Sequence, residues 1–245
     1  MESELLSPEQ FAALFPDIAA EIRDRVEANK NREEWLKDRR GKFTASAIFR
    51  LFTKALKPAN NDTSRNYIGD IVGERLGAWE NETRAPTLDW GRTEEPKAVK
   101  YYEEATGTKI RKAFKQEFIL YKKNPDFGAT PDGWIGKKTV QIKCPKRIAI
   151  HEKYLRCKDW KEFKKKFPEY FIQIQCEILF SGATSSIFLS YHSRFDEPFK
   201  MKKLIIPKDK EFQPVLIETL TKANEEANSR IETIKNQKST FIHKK

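Results

Sequence analysis

The chain has 245 residues, 38% of them hydrophobic and 34% charged, with a formal net charge of +11. That is enough apolar material for one large domain or two small ones, and the charge excess favours polyanionic partners, nucleic acid before a membrane surface. No run of about 18 apolar residues is present, which excludes a transmembrane helix; the acidic opening MESELLSPEQFAALFPDI does not read as a secretory signal, and three cysteines without paired spacing (Cys144, Cys157, Cys176) suit reduced thiols in a cytosol.

The first third reads as helix. Ser7, Pro8 and Gln10 form a candidate capping box before SPEQFAALFPDIAAEIRDRVEANK. TASAIFRLF, 44 to 52, is expected to be a short apolar helix capped by Thr44, and SRNYIGDIVGERLGAW, 64 to 79, places Tyr67, Ile71 and Val72 at helical spacing. Between them KPANNDTS, 57 to 64, reads as a loop. EEPKAVKYYEEATG, 94 to 107, is a helix with Pro96 in its first turn and Gly107 as its stop.

The period then changes. KQEFILYKK at 115 to 123, DGWIG, TVQIKC, SSIFLSYH at 185 to 192 and KMKKLIIP at 200 to 207 read as strands, with GKK as a turn. FPEYFIQIQCEILFSGA, 167 to 183, alternates like a strand from Ile172 to Ile178, but its length and the Phe171, Ile174, Ile178 spacing favour helix. The basic run KEFKKKF, 161 to 167, is either a solvated face or one patch of an anion-binding surface, and 208 to 235 is a long charged helix. The expectation is one domain over 1–245, of the α/β (α+β) class: a helical segment over 1–107, a mixed-sheet core over about 108–207 flanked by helices, and a C-terminal helix.

The stretch TPDGWIGKKTVQIKCP, 130 to 145, carries the chemistry. Pro-Asp-Gly is a common turn and needs no function by itself. Here a hairpin would return Asp132 to a strand on which Gln141 and Lys143, two residues apart, share a face. An Asp, a polar oxygen and a Lys converging on one spot is a costly core arrangement. It suits a Mg²⁺ site that activates water for phosphodiester hydrolysis.

Asp132-Gly133 followed by a strand ending in Ile142-Lys143 resembles the core of the PD-(D/E)XK nucleases, whose fold is a restriction-endonuclease-like mixed sheet between helices. EWLKDRRGKFTAS at 34 to 46, WGRTEEPKAVKYYEEATG at 90 to 107, TPDGWIG, QIKCP and YFIQIQ together resemble the phage lambda exonuclease (YqaJ-like viral recombinase) family, in order and over about 34 to 192. The resemblance implies roles residue by residue. Asp132 is the central metal ligand; Glu95 is a helix carboxylate that organises the metal site, with Glu94 as a competitor; Ile142 offers its backbone carbonyl; Lys143 is the catalytic lysine. Gln175 is the active-site glutamine, with Gln173 beside it. Arg39, Ser46 and Thr130 form a pocket for a terminal 5′-phosphate, an Arg fork plus hydroxyls suiting a phosphate monoester. A second pocket arginine has Ala149 at its matching position, so Lys146 or Arg147 stands in. Leu88 matches a wedge that splits the terminal base pair, or is a core leucine; Trp35 and Trp90 read as core aromatics before stacking platforms.

Gln141 occupies the position of the second ligand, normally Glu, and so removes one negative charge. Three explanations stand: a deliberate Glu-to-Gln inactivated form, a branch that naturally uses Gln, or an acid that has migrated, with Glu177 on the following helix as the candidate. The resemblance implies a Mg²⁺-dependent 5′→3′ exonuclease (Mn²⁺ as a substitute) acting on duplex DNA ends as a homotrimeric ring, working with a single-strand annealing protein, phage- or prophage-encoded and cytoplasmic in a bacterial host. A structure-specific endonuclease and a DNA-end-binding protein with a decayed site are the competing readings. An iron–sulfur cluster is disfavoured, since it needs four cysteines.

Overall fold

The computed structural model of the chain describes residues 13, 16, 30, 32–78, 86–111 and 118–237. The chain divides into two compact units, Met1–Asp38 and Arg39–Lys245. In the first, 32–38 is helical with Trp35 half-buried; the Ser7–Pro8–Gln10 capping box lies outside the described residues.

The second unit contains β1 (Phe43–Thr44), a 3-10 turn (Ile48–Leu51), α1 (Asp62–Arg75), α2 (Pro86–Thr106), β2 (Ile119–Leu120), β3 (Phe127–Ala129), β4 (Gly133–Ile135) and β5 (Lys138–Lys143). It continues with α3 (Ile148–Leu155), α4 (Trp160–Lys166), α5 (Pro168–Ser181), β6 (Ser185–Tyr191), β7 (Met201–Pro207) and α6 (Phe212–Asn236). A small sheet has the order β1-β3-β2 and a larger one β4-β5-β6-β7. The fold is mixed α/β, with mixed sheets flanked by helices.

The hairpin β4–β5 is antiparallel, with Ile135 opposite Lys138. Only Gly136 and Lys137 remain for the turn, and Gly136 takes φ +59°, which glycine adopts without steric cost. β5 then pairs with β6 in parallel, Gln141 opposite Phe188 and Lys143 opposite Ser190. Parallel neighbours need a long crossover, supplied here by α3, α4 and α5. β7 closes the sheet antiparallel to β6.

Alternation along β5 sets the site. Val140 and Ile142 join an apolar cluster with Ala98 and Tyr102 of α2 and Ile187 and Leu189 of β6. Burying each of these two side chains contributes about 1.5–3 kcal/mol. Gln141 and Lys143 must then project from the other face, against α5. The larger core lies on that side and includes Phe43, Phe127, Phe163, Phe171, Phe188 and Leu216. α5 starts with Pro168 in its first turn and stops at Gly182 in the left-handed conformation.

Several expectations are corrected. Thr44 is in strand β1 and caps no helix; the helix expected at 44–52 is one 3-10 turn whose N-cap is Ala47. Asn61, inside the expected loop, caps α1 through a reciprocal box with Ser64. α2 begins at Pro86, so Pro96 lies in its interior, where it cannot donate to the carbonyl four residues back. The strand expected at 115–123 is reduced to Ile119–Leu120, with 115–117 outside the described residues. The basic run at 161 forms α4, with Phe163 buried and Lys164 paired to Asp209 at 2.6 Å.

Candidate active site

The turn after β3 and the paired strand β5 bring Asp132 and Gln141 together. The Asp132 backbone N–H donates to the Val140 carbonyl at 3.1 Å, which fastens the turn to the strand. The Asp132 carboxylate then accepts through one oxygen, Oδ2, from the Ile142 backbone N–H at 2.6 Å and from Gln141 Nε2 at 2.5 Å. Asp132 is therefore oriented by main chain and side chain at once. Next to it, Gly133 allows the Ile110–Arg111 segment to pack close against β4: a Cβ there would sit 2.6 Å from Ile110 Cγ2 and 3.3 Å from the Arg111 carbonyl oxygen.

α5 supplies the opposite wall through Tyr170, Gln173 and Glu177, spaced three and four residues apart and hence on one face. Lys143 Nζ lies 5.1 Å from the centroid of the Tyr170 ring, a cation–π contact. Gln173 Nε2 donates to Gln141 Oε1 at 2.8 Å and to Glu177 Oε1 at 2.9 Å. A continuous hydrogen-bonded chain thus runs from Glu177 through Gln173 and Gln141 to Asp132. Gln141 is 1% exposed and Glu177 0%, and Glu177 Oε2 is buried with no hydrogen-bond partner among the described residues. Burial raises the Glu177 carboxyl well above the ordinary range, and the Asp132 charge adds to this; the Gln173 hydrogen bond and Lys143 only partly oppose it.

Gln175 is not brought to this site. Two residues on a helix are about 200° apart, so Gln175 faces away from Gln173. Its Nε2 donates to the Pro207 carbonyl at 2.8 Å, and its Oε1 accepts from the Asp209 N–H at 2.9 Å and Gln213 Nε2 at 3.0 Å. It ties the end of β7 to the start of α6. Gln173 takes the place by the hairpin, and the signal in the sequence was its spacing from Tyr170 and Glu177.

Of the two α2 carboxylates, Glu94 is buried and paired with Lys97 at 2.7 Å. Burial pushes its carboxyl up, but hydrogen bonds from Lys97 and Ser193 outweigh this and hold it below the ordinary range. Glu95 is half-buried. Burial, then the charges of Glu95, Glu94 and Asp132, push the Cys144 thiol up to about 12, with Lys143 in opposition. Glu95 and Asp132 therefore both bear on the end of β5.

The residues expected to form a phosphate pocket are brought together in part. An Arg39 guanidinium nitrogen, Nη2, donates to Ser46 Oγ at 3.2 Å and Thr44 Oγ1 at 3.3 Å, which adds a hydroxyl the sequence reading did not select. Thr130 follows β3, the strand that pairs with β1 and so with Thr44. Arg147 is exposed at the N-cap of α3, and its side chain makes no cap hydrogen bond. Leu88 falls in α2, but its side chain lies outside the described residues, and Trp90 is half-buried with Arg194 over its ring at 5.1 Å.

The described residues contain no group of three His, Cys, Asp or Glu side chains set to hold a metal ion. The oxygens brought to this face of the hairpin are nonetheless all hard donors: the Asp132 carboxylate, Gln141 Oε1 and the Glu177 carboxylate, joined through Gln141 and Gln173. Carboxylates gathered beside a single lysine fit a divalent cation of the Mg²⁺ kind.

The profile of the YqaJ-like viral recombinase domain matches residues 34–184. The chain belongs to this family. Solved structures agree with the assignment. An alkaline exonuclease (LHK-Exo) from Laribacter hongkongensis is 26% identical, with a TM-score of 0.71 over 84% of this chain and 97% of that one. The same enzyme in complex with dAMP gives 25% identity over the same shares, also at 0.71. A phage-related exonuclease from Haemophilus somnus 129PT, 17% identical, shares the fold at a TM-score of 0.62 over 79% of this chain and 96% of that one. No curated protein matches the sequence. The YqaJ-like chain has the PD-(D/E)XK nuclease fold and is a nuclease.

Proposed function

We propose that this YqaJ-like chain is a Mg²⁺-dependent exonuclease that degrades one strand of duplex DNA 5′→3′ from 5′-phosphorylated ends, leaving 3′ single strands for recombination. The observation that carries the reading is the convergence of Asp132, Gln141 and Lys143 at the hairpin beside α5. The same activity class is named for the two similar exonucleases. Asp132, Gln141, the Ile142 carbonyl and Glu95 would hold the cation, which when bound supplies Lewis acidity to the phosphoryl oxygen and lowers the pKa of a water. Lys143, held by the Tyr170 ring, would offset the charge that grows on the phosphate in the transition state. Gln173, not Gln175, would orient the polar groups around it.

Arg39 with Ser46 and Thr44 supplies a guanidinium and two hydroxyls for the terminal phosphate; Thr130 and Arg147 complete the pocket in this reading, and Leu88 is its wedge. The net charge of +11 suits a DNA substrate. A homotrimeric ring around DNA, an annealing protein as partner and action in the cytoplasm of a phage host extend the same family reading; no described helix is long and apolar enough to cross a membrane.

The test is digestion of linear duplex DNA with 5′-phosphate or 5′-hydroxyl ends, labelled at the 3′ ends, in Mg²⁺, Mn²⁺ or EDTA. A covalently closed circle serves as control. Loss of the 5′-phosphate strand in Mg²⁺, with the circle intact, is expected. Cutting of the circle supports the endonuclease reading instead. Binding of ends with no cleavage in either metal supports a decayed or Glu-to-Gln inactivated site.

A further inference from the structure

We propose that Glu177 on α5 supplies the second carboxylate of the cation site, so that the charge missing at Gln141 is delivered from the helix instead of the strand. The inference rests on the reading above that the hairpin binds a divalent cation, and it names which residues do so.

Gln141 is a neutral side chain, 1% exposed, in the middle of β5. Its amide oxygen already accepts from Gln173 and its amide nitrogen already donates to Asp132. It offers a cation at most one uncharged oxygen. Across from it, Glu177 is fully buried between Cys176 and Ile178 on a helix otherwise packed with Phe171, Ile172, Ile174 and Phe180. A lone carboxylate in such a wall is costly unless something compensates it. One of its oxygens, Oε1, accepts from Gln173; the other, Oε2, is buried without a hydrogen-bond partner among the described residues.

The geometry aims this acid at the hairpin. A single nitrogen, Gln173 Nε2, serves both Gln141 Oε1 and Glu177 Oε1, so the strand position and the helix acid are two hydrogen bonds apart. Asp132 is one further hydrogen bond along. Gln173 therefore acts as the spacer between the two positions. A divalent cation drawn to Asp132 would find its second full charge at Glu177, with Gln141 supplying a neutral oxygen between them. A cation also gives Glu177 Oε2 the partner it lacks.

The experiment measures Mn²⁺ binding to the full chain by the loss of the free-ion EPR signal, without DNA. The wild type is compared with Glu177→Gln, Gln141→Glu and the double variant carrying both changes. Circular dichroism and the thermal midpoint of each variant establish that it is folded. The wild type is expected to bind, Glu177→Gln to bind at least tenfold more weakly, and the double variant to recover to within a few-fold of wild type. Wild-type binding that Glu177→Gln leaves unchanged overturns the proposal, as does a wild type that binds no Mn²⁺. A double variant that stays as weak as Glu177→Gln also overturns it, because the charge would then matter for folding and not for the cation. The nuclease reading fails separately: Glu177-dependent Mn²⁺ binding with no cleavage of any DNA sinks the nuclease and leaves the helix acid standing. Cleavage undiminished in Glu177→Gln does the reverse.

Discussion

Replacing Gln175 and Gln173 by alanine, one at a time, separates a glutamine that supports the fold from one that faces the hairpin. Gln175 is fully buried, and its amide satisfies the Pro207 carbonyl, the Asp209 N–H and Gln213 Nε2. Gln213 Nε2 keeps a second acceptor, the Gln175 backbone carbonyl at 3.0 Å, which alanine retains. Truncation therefore strands the buried Asp209 N–H, at about 1–3 kcal/mol, and the half-buried Pro207 carbonyl, at about 1 kcal/mol. It also opens a small void in a close-packed region, which adds about 1 kcal/mol. Gln175→Ala is expected to lose about 3–5 kcal/mol in total. With a urea m-value of about 3 kcal/mol/M the midpoint falls by more than about 1 M. Gln173 is half-buried, but its acceptors Gln141 Oε1 and Glu177 Oε1 belong to buried side chains, so Gln173→Ala should cost about 1–3 kcal/mol for each acceptor that water does not reach, and it is cleavage, not stability, that separates the two variants. Cleavage of 5′-phosphorylated duplex, assayed well below either unfolding midpoint, should drop by about tenfold or more in Gln173→Ala and change little per folded molecule in Gln175→Ala. A stable Gln175→Ala with abolished cleavage, beside an active Gln173→Ala, would refute the reasoning and return the catalytic role to Gln175.

Lys143→Ala should remove at least about 10²-fold of the cleavage rate while costing only about 1 kcal/mol for the lost Tyr170 contact, read by single-turnover digestion and urea melts of the same sample. Gly133→Ala should lose about 1–3 kcal/mol and weaken cleavage with it, because the new Cβ presses on Ile110 and the Arg111 carbonyl beside Asp132; wild-type values in both assays would contradict the close approach. Asp209 provides a pH test. Burial pushes its carboxyl up, but Lys164 and the N–H groups of Phe212 and Glu211 outweigh this and hold it below the ordinary carboxylate range. Its folded pKa is thus lower than its unfolded one, so its stabilisation is complete above the ordinary range and is lost as pH falls through the depressed value. The stability gap between wild type and Asp209→Asn, measured by urea melts from pH 7 down to about pH 2, should shrink as acid is added; a constant gap would rule out the ionised pair.

The regions of the molecule legible in the sequence are those whose burial follows a simple period. β5 is one: Val140 and Ile142 alternate with Gln141 and Lys143, and the Gly136 turn marks its start. α5 was harder, because it is buried almost all round and shows no clean polar stripe; Ile172, Ile174, Cys176 and Ile178 then read as alternation. β1, β3 and the 3-10 turn are only two to four residues long, too short for any period to appear. The β4–β5 hairpin and its Asp132, Gln141 and Lys143 are legible because these residues are close in the chain. The choice between Gln173 and Gln175 is not, since both suit a helix and only the position of β5 against α5 decides which one faces inward. Thr44 reads as a helix cap for a similar reason: its pairing partner Gly128 lies far along the chain.

The shared nitrogen of Gln173 has a consequence for how such enzymes are found and how they diverge. Gln173 stands between the strand position and the helix position, so if Glu177 serves the cation, an acid at either end addresses the same spot. A lineage could pass from one arrangement to the other through an intermediate carrying both acids, without a step in which Asp132 lacks a second acid across from it. Pattern searches that demand the acid on the strand would then discard working enzymes as inactive relatives. Pairs of positions joined through one bridging amide are the better unit to search for.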